Sequence, residues 1–152
     1  MITKIQLELI DLNGDGFHLS LKASLNNKPI FLILDTGASH TVFDVNRIGN
    51  YVDQPDFETN EQLSTGLGTN SMESNIFIAD SFMLGEMKIN DYRALAIDMQ
   101  HINQTYEMLD LPLIDGVLGG DILMDFKARI DYKNLILSLN FPKAKYYNNY
   151  LK

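Results

Sequence analysis

The sequence has no cysteine and no tryptophan among its 152 residues. Disulfides, thiolate nucleophiles and cysteine-ligated metals are therefore excluded, which permits a reducing compartment without requiring one. Positive charge is also scarce: 12 Lys and Arg against 20 Asp and Glu leave a net charge of −8. A chain so short of cations has little with which to displace counterions from phosphate, so neither nucleic acid nor an anionic membrane is an expected partner. No apolar run approaches the length of a membrane span. Residues Met1 to Leu12 alternate apolar and polar and lack the unbroken apolar stretch of a signal peptide. The chain as it stands reads as cytoplasmic, and one trimmed of a leader would read the same way. Histidine is sparse too: His18, His40 and His101 are scattered, and neither a metal nor another cofactor is expected.

What is present is ordinary for a globular protein, 45% apolar and 21% charged residues. The length fits one domain over residues 1–152, large enough to bury a core without a staple. Ile5, Leu7 and Leu9 alternate with polar neighbours, and after Asn13-Gly14-Asp15-Gly16 the alternation resumes at Phe17, Leu19, Leu21 and Ala23. Period two on both sides of residues that tolerate positive φ predicts a β-hairpin over 2–25, with the next turn at Asn26-Asn27. Pro29 opens the run Ile30 to Leu34, a strand predicted to be buried on both faces. Further strands are expected at 76–84 and 87–98, turning at Gly85-Glu86. Residues 100–109 read as a short helix or an irregular loop. Asp121 to Phe126 reads as a short helix with Asp121 as its N-cap, followed by a hairpin of 128–132 and 135–140 turning at Lys133-Asn134.

The chemistry concentrates at Asp35-Thr36-Gly37-Ala38-Ser39, where a carboxylate ends a buried apolar strand and a small-residue turn follows. That position promises an acid in scarce water, a sharp turn at Gly37 and a hydroxyl at Thr36. Phe31 to Ser39 resembles the active-site segment of aspartic peptidases, and its Asp-Thr-Gly-Ala core resembles the retroviral-type, or retropepsin-like, branch. Val117-Leu118-Gly119, continued by Gly120-Asp121-Ile122-Leu123, resembles the second motif of that family, which packs beside the catalytic loop and leads into a short helix. Thr65-Gly66-Leu67-Gly68 lies between the two, where the family has its mobile flap. The resemblance spans about residues 30–133. It implies an all-β fold, a retropepsin-like acid protease barrel with one short helix after the second motif.

It also implies a mechanism that needs two aspartates sharing one proton, one activating a water and the other polarising the scissile carbonyl. This chain carries a single Asp-Thr-Gly, at 35–37, so the second copy must come from a second chain. The expected assembly is a homodimer with Asp35 facing its mate across a two-fold axis, Thr36 reaching across that axis, and a peptide or protein as substrate. Asp35, Thr36 and Gly37 are the expected catalytic residues. Ala38, Ser39, Gly66, Leu67, Gly68, Val117 and Leu118 are the expected substrate-binding ones. A catalytically silent module that binds a peptide as an added strand, or only dimerises, is the alternative.

Some positions depart from the resembled pattern. Retroviral enzymes usually pair an acid at the position of Ser39 with an arginine at that of Gly120, and here both are absent. Ala38 stands where pepsins have serine, which removes a hydrogen bond to the ionised carboxylates and places activity at mildly acidic to neutral pH. Asp11 to Gly16 matches the opening of an EF-hand loop, but its twelfth position is Lys22 and its flanks alternate like strands, so calcium is not expected. His40 reads either as a pocket residue or as an ordinary packed histidine. Gly66 and Gly68 alone would mean no more than a turn. The tail from Pro142 reads as frayed or as part of a dimer sheet.

Overall fold

The alternation of the first residues becomes a long hairpin of β1 (Ile2–Asp11) and β2 (Phe17–Leu25) in the computed structural model, which describes residues 1–53, 57–59, 75–142 and 147–148. Leu7 lies opposite Leu21 and Leu9 opposite Leu19. The hairpin turn uses the positive φ expected of it, at Asn13, Gly14 and Gly16, and the Asp11 carboxylate caps the Gly14 amide at 2.9 Å. Asn26 and Asn27, both at positive φ, form the two-residue turn that matches strand twist, and β3 (Lys28–Leu34) returns beside β2.

Six strands then close on themselves. β3 runs parallel to β8 (Gly116–Leu118), β8 antiparallel to β4 (Val42–Asp44), and β4 parallel to β7 (Met87–Ile97). β7 forms a long hairpin with β6 (Asn75–Leu84), and Ser24 and Leu25 of β2 pair with Met83 and Phe82 of β6 to complete the ring. Closure leaves no unpaired edge inside the barrel. Leu21, Leu25, Leu32, Phe43, Phe82, Tyr92 and Leu118 fill it, and Phe43 meets Phe77 and Phe82 edge-on with ring centroids 5.8 and 5.6 Å apart. β3 is buried on both faces as expected: Ile30, Leu32 and Leu34 point into the barrel, whereas Ile33 joins a second apolar cluster with Val117, Ile114, Met99 and Tyr106.

The first half of β1 leaves the barrel and pairs with β10 (Ile136–Asn140), which pairs in turn with β9 (Arg129–Asp131). The last hairpin is therefore present with its turn at Lys133-Asn134. β5 (Glu58–Thr59) extends β6 and β11 (Tyr147–Asn148) adds to β7.

The all-β expectation holds, but the single helix becomes two. α1 (Gln100–Met108) precedes the expected α2 (Gly120–Asp125). The ambiguity of 100–109 has a physical origin, because α1 buries Asn103 and Tyr106 in place of an apolar stripe. Asn103 brackets Ile114 through both backbone groups, at 2.8 and 3.0 Å, and gives a further hydrogen bond to the buried Asp44 carboxylate at 2.9 Å. Tyr106 meets His18 of β2 at 2.6 Å, and burial pushes its phenol up to about 12. Polar side chains with fixed partners thus hold α1 where hydrophobic periodicity is missing. Asp44 also accepts from both nitrogens of Asn46 and from the Met99 amide. Asp44→Ala should strand these donors and lower stability by roughly 3 kcal/mol, read as a shift in the urea midpoint at unchanged slope.

Candidate active site

Asp35 follows the last residue of β3, and its position is set by the strand beside it. Leu34 pairs with Leu118 across the parallel β3–β8 ladder, and the Asp35 amide continues that ladder by donating to the Leu118 carbonyl at 3.0 Å. The chain then turns, with the Ala38 amide returning to the Asp35 carbonyl at 3.2 Å. The Gly37 amide donates to Asp35 Oδ1 at 2.9 Å, and a Cβ on Gly37 would stand 3.2 Å from that oxygen. Gly37 is not at positive φ. Its value lies in the close approach of its N–H to the carboxylate rather than in a left-handed turn.

Asp35, Thr36, Gly37 and Ser39 are exposed in the single chain, and Ala38 is half-buried. The expected water-poor site for Asp35 is therefore not formed by one chain. Its strand is buried, but the carboxylate projects beyond the end of it.

The second motif meets the first as expected. Gly120 donates its amide to the Ala38 carbonyl at 2.7 Å. Gly119 lies so close that a Cβ there would be 2.6 Å from the His40 carbonyl carbon, which explains the glycine sterically. Val117 is 8% exposed and packs in the second cluster with Ala38 and Val42, which places an apolar wall beside the carboxylate turn. Leu118 does not share that wall. Strand alternation turns its side chain into the barrel core at 0% exposure, so its contribution is the carbonyl that holds Asp35 and not a pocket surface. Gly66, Leu67 and Gly68 lie outside the described residues.

Thr41 and Asp121 form a brace that local pattern did not single out. Asp121 Oδ1 accepts from the Thr41 amide at 2.9 Å, from the Thr41 hydroxyl at 2.8 Å and from the Ile122 amide at 2.8 Å, while the Gly119 amide donates to the Thr41 hydroxyl at 3.0 Å. Asp121 is consequently not the N-cap of α2. Gly119 holds that place and Asp121 sits in the first turn, reaching back to the loop that leaves the Asp35 turn. Gly120 and Ser39 make no ion pair, and the brace joins the same two segments instead. Its partners are 80 residues apart, which is why neither residue stands out on its own. No group of metal-ligating side chains is found among the described residues, and no helix among them is long and apolar enough to cross a membrane.

The aspartyl protease family model matches residues 21–122, well over half of the chain and both motifs of the site. The chain belongs to the aspartyl protease family. Its fold is retropepsin-like: it is similar to a retropepsin-like aspartic protease from Rickettsia conorii, with 21% identity, 93% of each chain covered and a TM-score of 0.52. It is likewise similar to the retroviral protease-like domain of Ddi1 from Leishmania major, with 16% identity, 84% of this chain and 97% of that domain covered and a TM-score of 0.53. No curated protein sequence matches it.

Thr41→Val keeps the shape of the brace and removes its hydroxyl, so it should lower stability by about 1–3 kcal/mol, whereas Thr41→Ser should stay near wild type. Denaturant titration of the two variants checks this.

Proposed function

We propose that two copies of this chain form an aspartic endopeptidase. The observation that carries this reading is the Asp35 turn itself: a family active-site segment presented at the exposed end of a buried strand, with only one Asp-Thr-Gly in the sequence. In the dimer each chain supplies one Asp35. The ionised carboxylate takes a proton from a water as that water attacks the scissile carbonyl, and the protonated one donates to the carbonyl oxygen as negative charge develops there. The tetrahedral intermediate then collapses as a proton passes to the leaving amine, and no covalent enzyme intermediate forms.

The Gly37 amide orients the carboxylate, and Thr36 bonds across the axis. Ala38, Ser39 and Val117 line the substrate cleft, with Gly66, Leu67 and Gly68 as the flap tip. The substrate is an extended peptide, and the chain works as one retropepsin-like unit over residues 1–152. Fixed packing around an exposed acid supports this reading, since the β3–β8 ladder, the Gly119 contact and the Thr41–Asp121 brace all immobilise the turn. Activity lies at mildly acidic to neutral pH, because Ala38 offers no hydroxyl to the ionised pair.

Peptide-library cleavage from about pH 4 to 7 provides the test. Asp35→Asn should reduce turnover at least about a hundredfold, with stability changed by less than about 1 kcal/mol because the side chain is exposed. Specific activity should also fall on dilution as the half-sites separate. Equal behaviour of wild type and Asp35→Asn would reject the enzyme reading and favour a silent peptide-binding or dimerisation module.

A further inference from the structure

Lysine and arginine are the minority charge in this chain, 12 against 20 acids, yet three of them gather on the outer face of the β1–β10–β9 sheet. Strand register builds that face. Ser138 of β10 lies opposite Lys4 of β1 on one side and opposite Arg129 of β9 on the other, so these three side chains form one row across the sheet. Lys127 stands two residues before Arg129, and in the row beyond, Ile136 lies opposite Asp131. All of them border a groove of about 850 Å³, to which Ile2 and Tyr132 contribute exposed apolar surface. Lys4, Lys127 and Arg129 are exposed, and none of the three makes an ion pair among the described residues. The single carboxylate of the groove is engaged elsewhere. Asp131 accepts from the Asn134 amide at 2.9 Å and from its side-chain nitrogen at 2.8 Å, and these bonds, the backbone one foremost, keep its carboxyl below the usual carboxylate range.

We propose that this groove docks an extended acidic segment of a partner polypeptide, which lies over the face along β9. Two of its carboxylates, at alternate positions, meet Lys127 and Arg129, Lys4 faces them from β1, and an apolar residue beyond them rests on Ile136 and Tyr132. The spacing favours such a segment over a single small anion. Lys127 and Arg129 are about 7 Å apart along the strand direction, the distance between alternate residues of an extended peptide, and Lys4 lies about 10 Å from Arg129 across two strands. One phosphate is too small to span them, whereas two carboxylates on one face of an extended chain match them. Asp131 sets the limit of the acidic part: a third carboxylate in register would meet its charge, so the next position on that face must be uncharged. Charge also separates a peptide from a polyanion. The whole chain carries −8, which repels nucleic acid or an anionic membrane over their full length, while a short segment feels the groove's local excess of three cations over one acid within a Debye length. The groove is distinct from the Asp35 turn, and docking there requires no cleavage.

Fluorescence anisotropy of a labelled Gly-Ser-Asp-Ser-Asp-Ser-Leu-Ser-Gly peptide titrated with the full chain tests the groove, with circular dichroism as the check on folding. The titration is run on wild type and on Asp35→Asn, which should bind alike. Binding should saturate and weaken as salt is raised. Arg129→Glu and Lys4→Glu should each weaken it about three- to tenfold at low ionic strength. A probe with lysine in place of both aspartates should reverse the order, binding the double variant K4E/R129E more tightly than wild type, an exchange that mere structural damage would not produce. If a reversal variant fails to fold, Lys4→Gln and Lys127→Gln replace it and should each weaken the acidic probe about two- to threefold. Folded variants that bind the acidic probe as wild type does would overturn the proposal, as would a wild type that shows no saturable binding. Tighter binding of a short DNA duplex or of phosphatidylserine vesicles than of the acidic probe would overturn the peptide as occupant. None of these outcomes bears on whether Asp35 cleaves peptides, so each reading stands or falls alone.

Discussion

The Asp35 amide reaches the Leu118 carbonyl because β3 and β8 run parallel and end together. Both sequence motifs depend on that one pairing. Parallel neighbours need a long crossover, and here the intervening chain supplies β4, β6, β7 and α1, so the six-stranded ring is the connection that brings residues 34 and 118 side by side. The glycines follow from the same constraint. Gly116 sits where a Cβ would be 2.3 Å from the Val42 carbonyl oxygen, and Gly119 where one would be 2.6 Å from the His40 carbonyl. β4 and the loop before it can close over β8 only because those two positions carry no side chain.

Buried polarity holds what apolar packing cannot. Asp44, Asn103, Asp115 and Arg47 lie between β4, α1 and the approach to β8. Arg47 Nε meets Asp115 Oδ1 at 2.8 Å, the other Asp115 oxygen accepts the Phe31 amide at 2.8 Å, and the Asp44 amide donates to the Asp115 carbonyl at 2.8 Å. Such groups are weak sources of net stability, since their desolvation offsets most of the attraction. Their directionality is another matter. Each carboxylate is matched to particular amides, and a slipped register would leave several donors without acceptors. Burial beside these acids raises the Tyr51 phenol above its ordinary range, desolvation being the larger cause and the Asp115 charge the next. The tyrosine stays neutral and the cluster gains no further charge.

Much of this was legible in order of physical simplicity. Period two gave the strands, paired asparagines and glycines the turns, and the unbroken run from Ile30 to Leu34 a strand covered on both sides. The meeting of Asp35-Thr36-Gly37 with Val117-Leu118-Gly119 needed family resemblance, because no local rule joins segments so far apart. Three features escaped for separate reasons. α1 is held by Asn103 and Tyr106, residues whose burial has no signature until their partners are known. Leu118 belongs to the core because the strand's phase is set by β3, not by its own neighbours. Asp121 looks like a cap in isolation, yet the arrival of Thr41 from another segment gives it a stronger use, and the cap position shifts to Gly119.

The exposure of Asp35 links assembly to chemistry. In one chain the carboxylate is exposed and accepts one backbone hydrogen bond, from the Gly37 amide. On the two-copy reading, docking shields it from solvent and brings in an identical carboxylate. Two such groups in contact cannot readily both remain ionised, so closing the dimer takes up a proton, and by linkage acid favours the closed form. Each chain also carries −8, a general repulsion that salt screens beyond about 10 Å at 0.1 M ionic strength. If two such acidic chains meet, they need contacts of opposite sign at short range, where screening is weakest. On the same reading, a proton shared between two Asp35 side chains removes a like-charge contact at the axis itself.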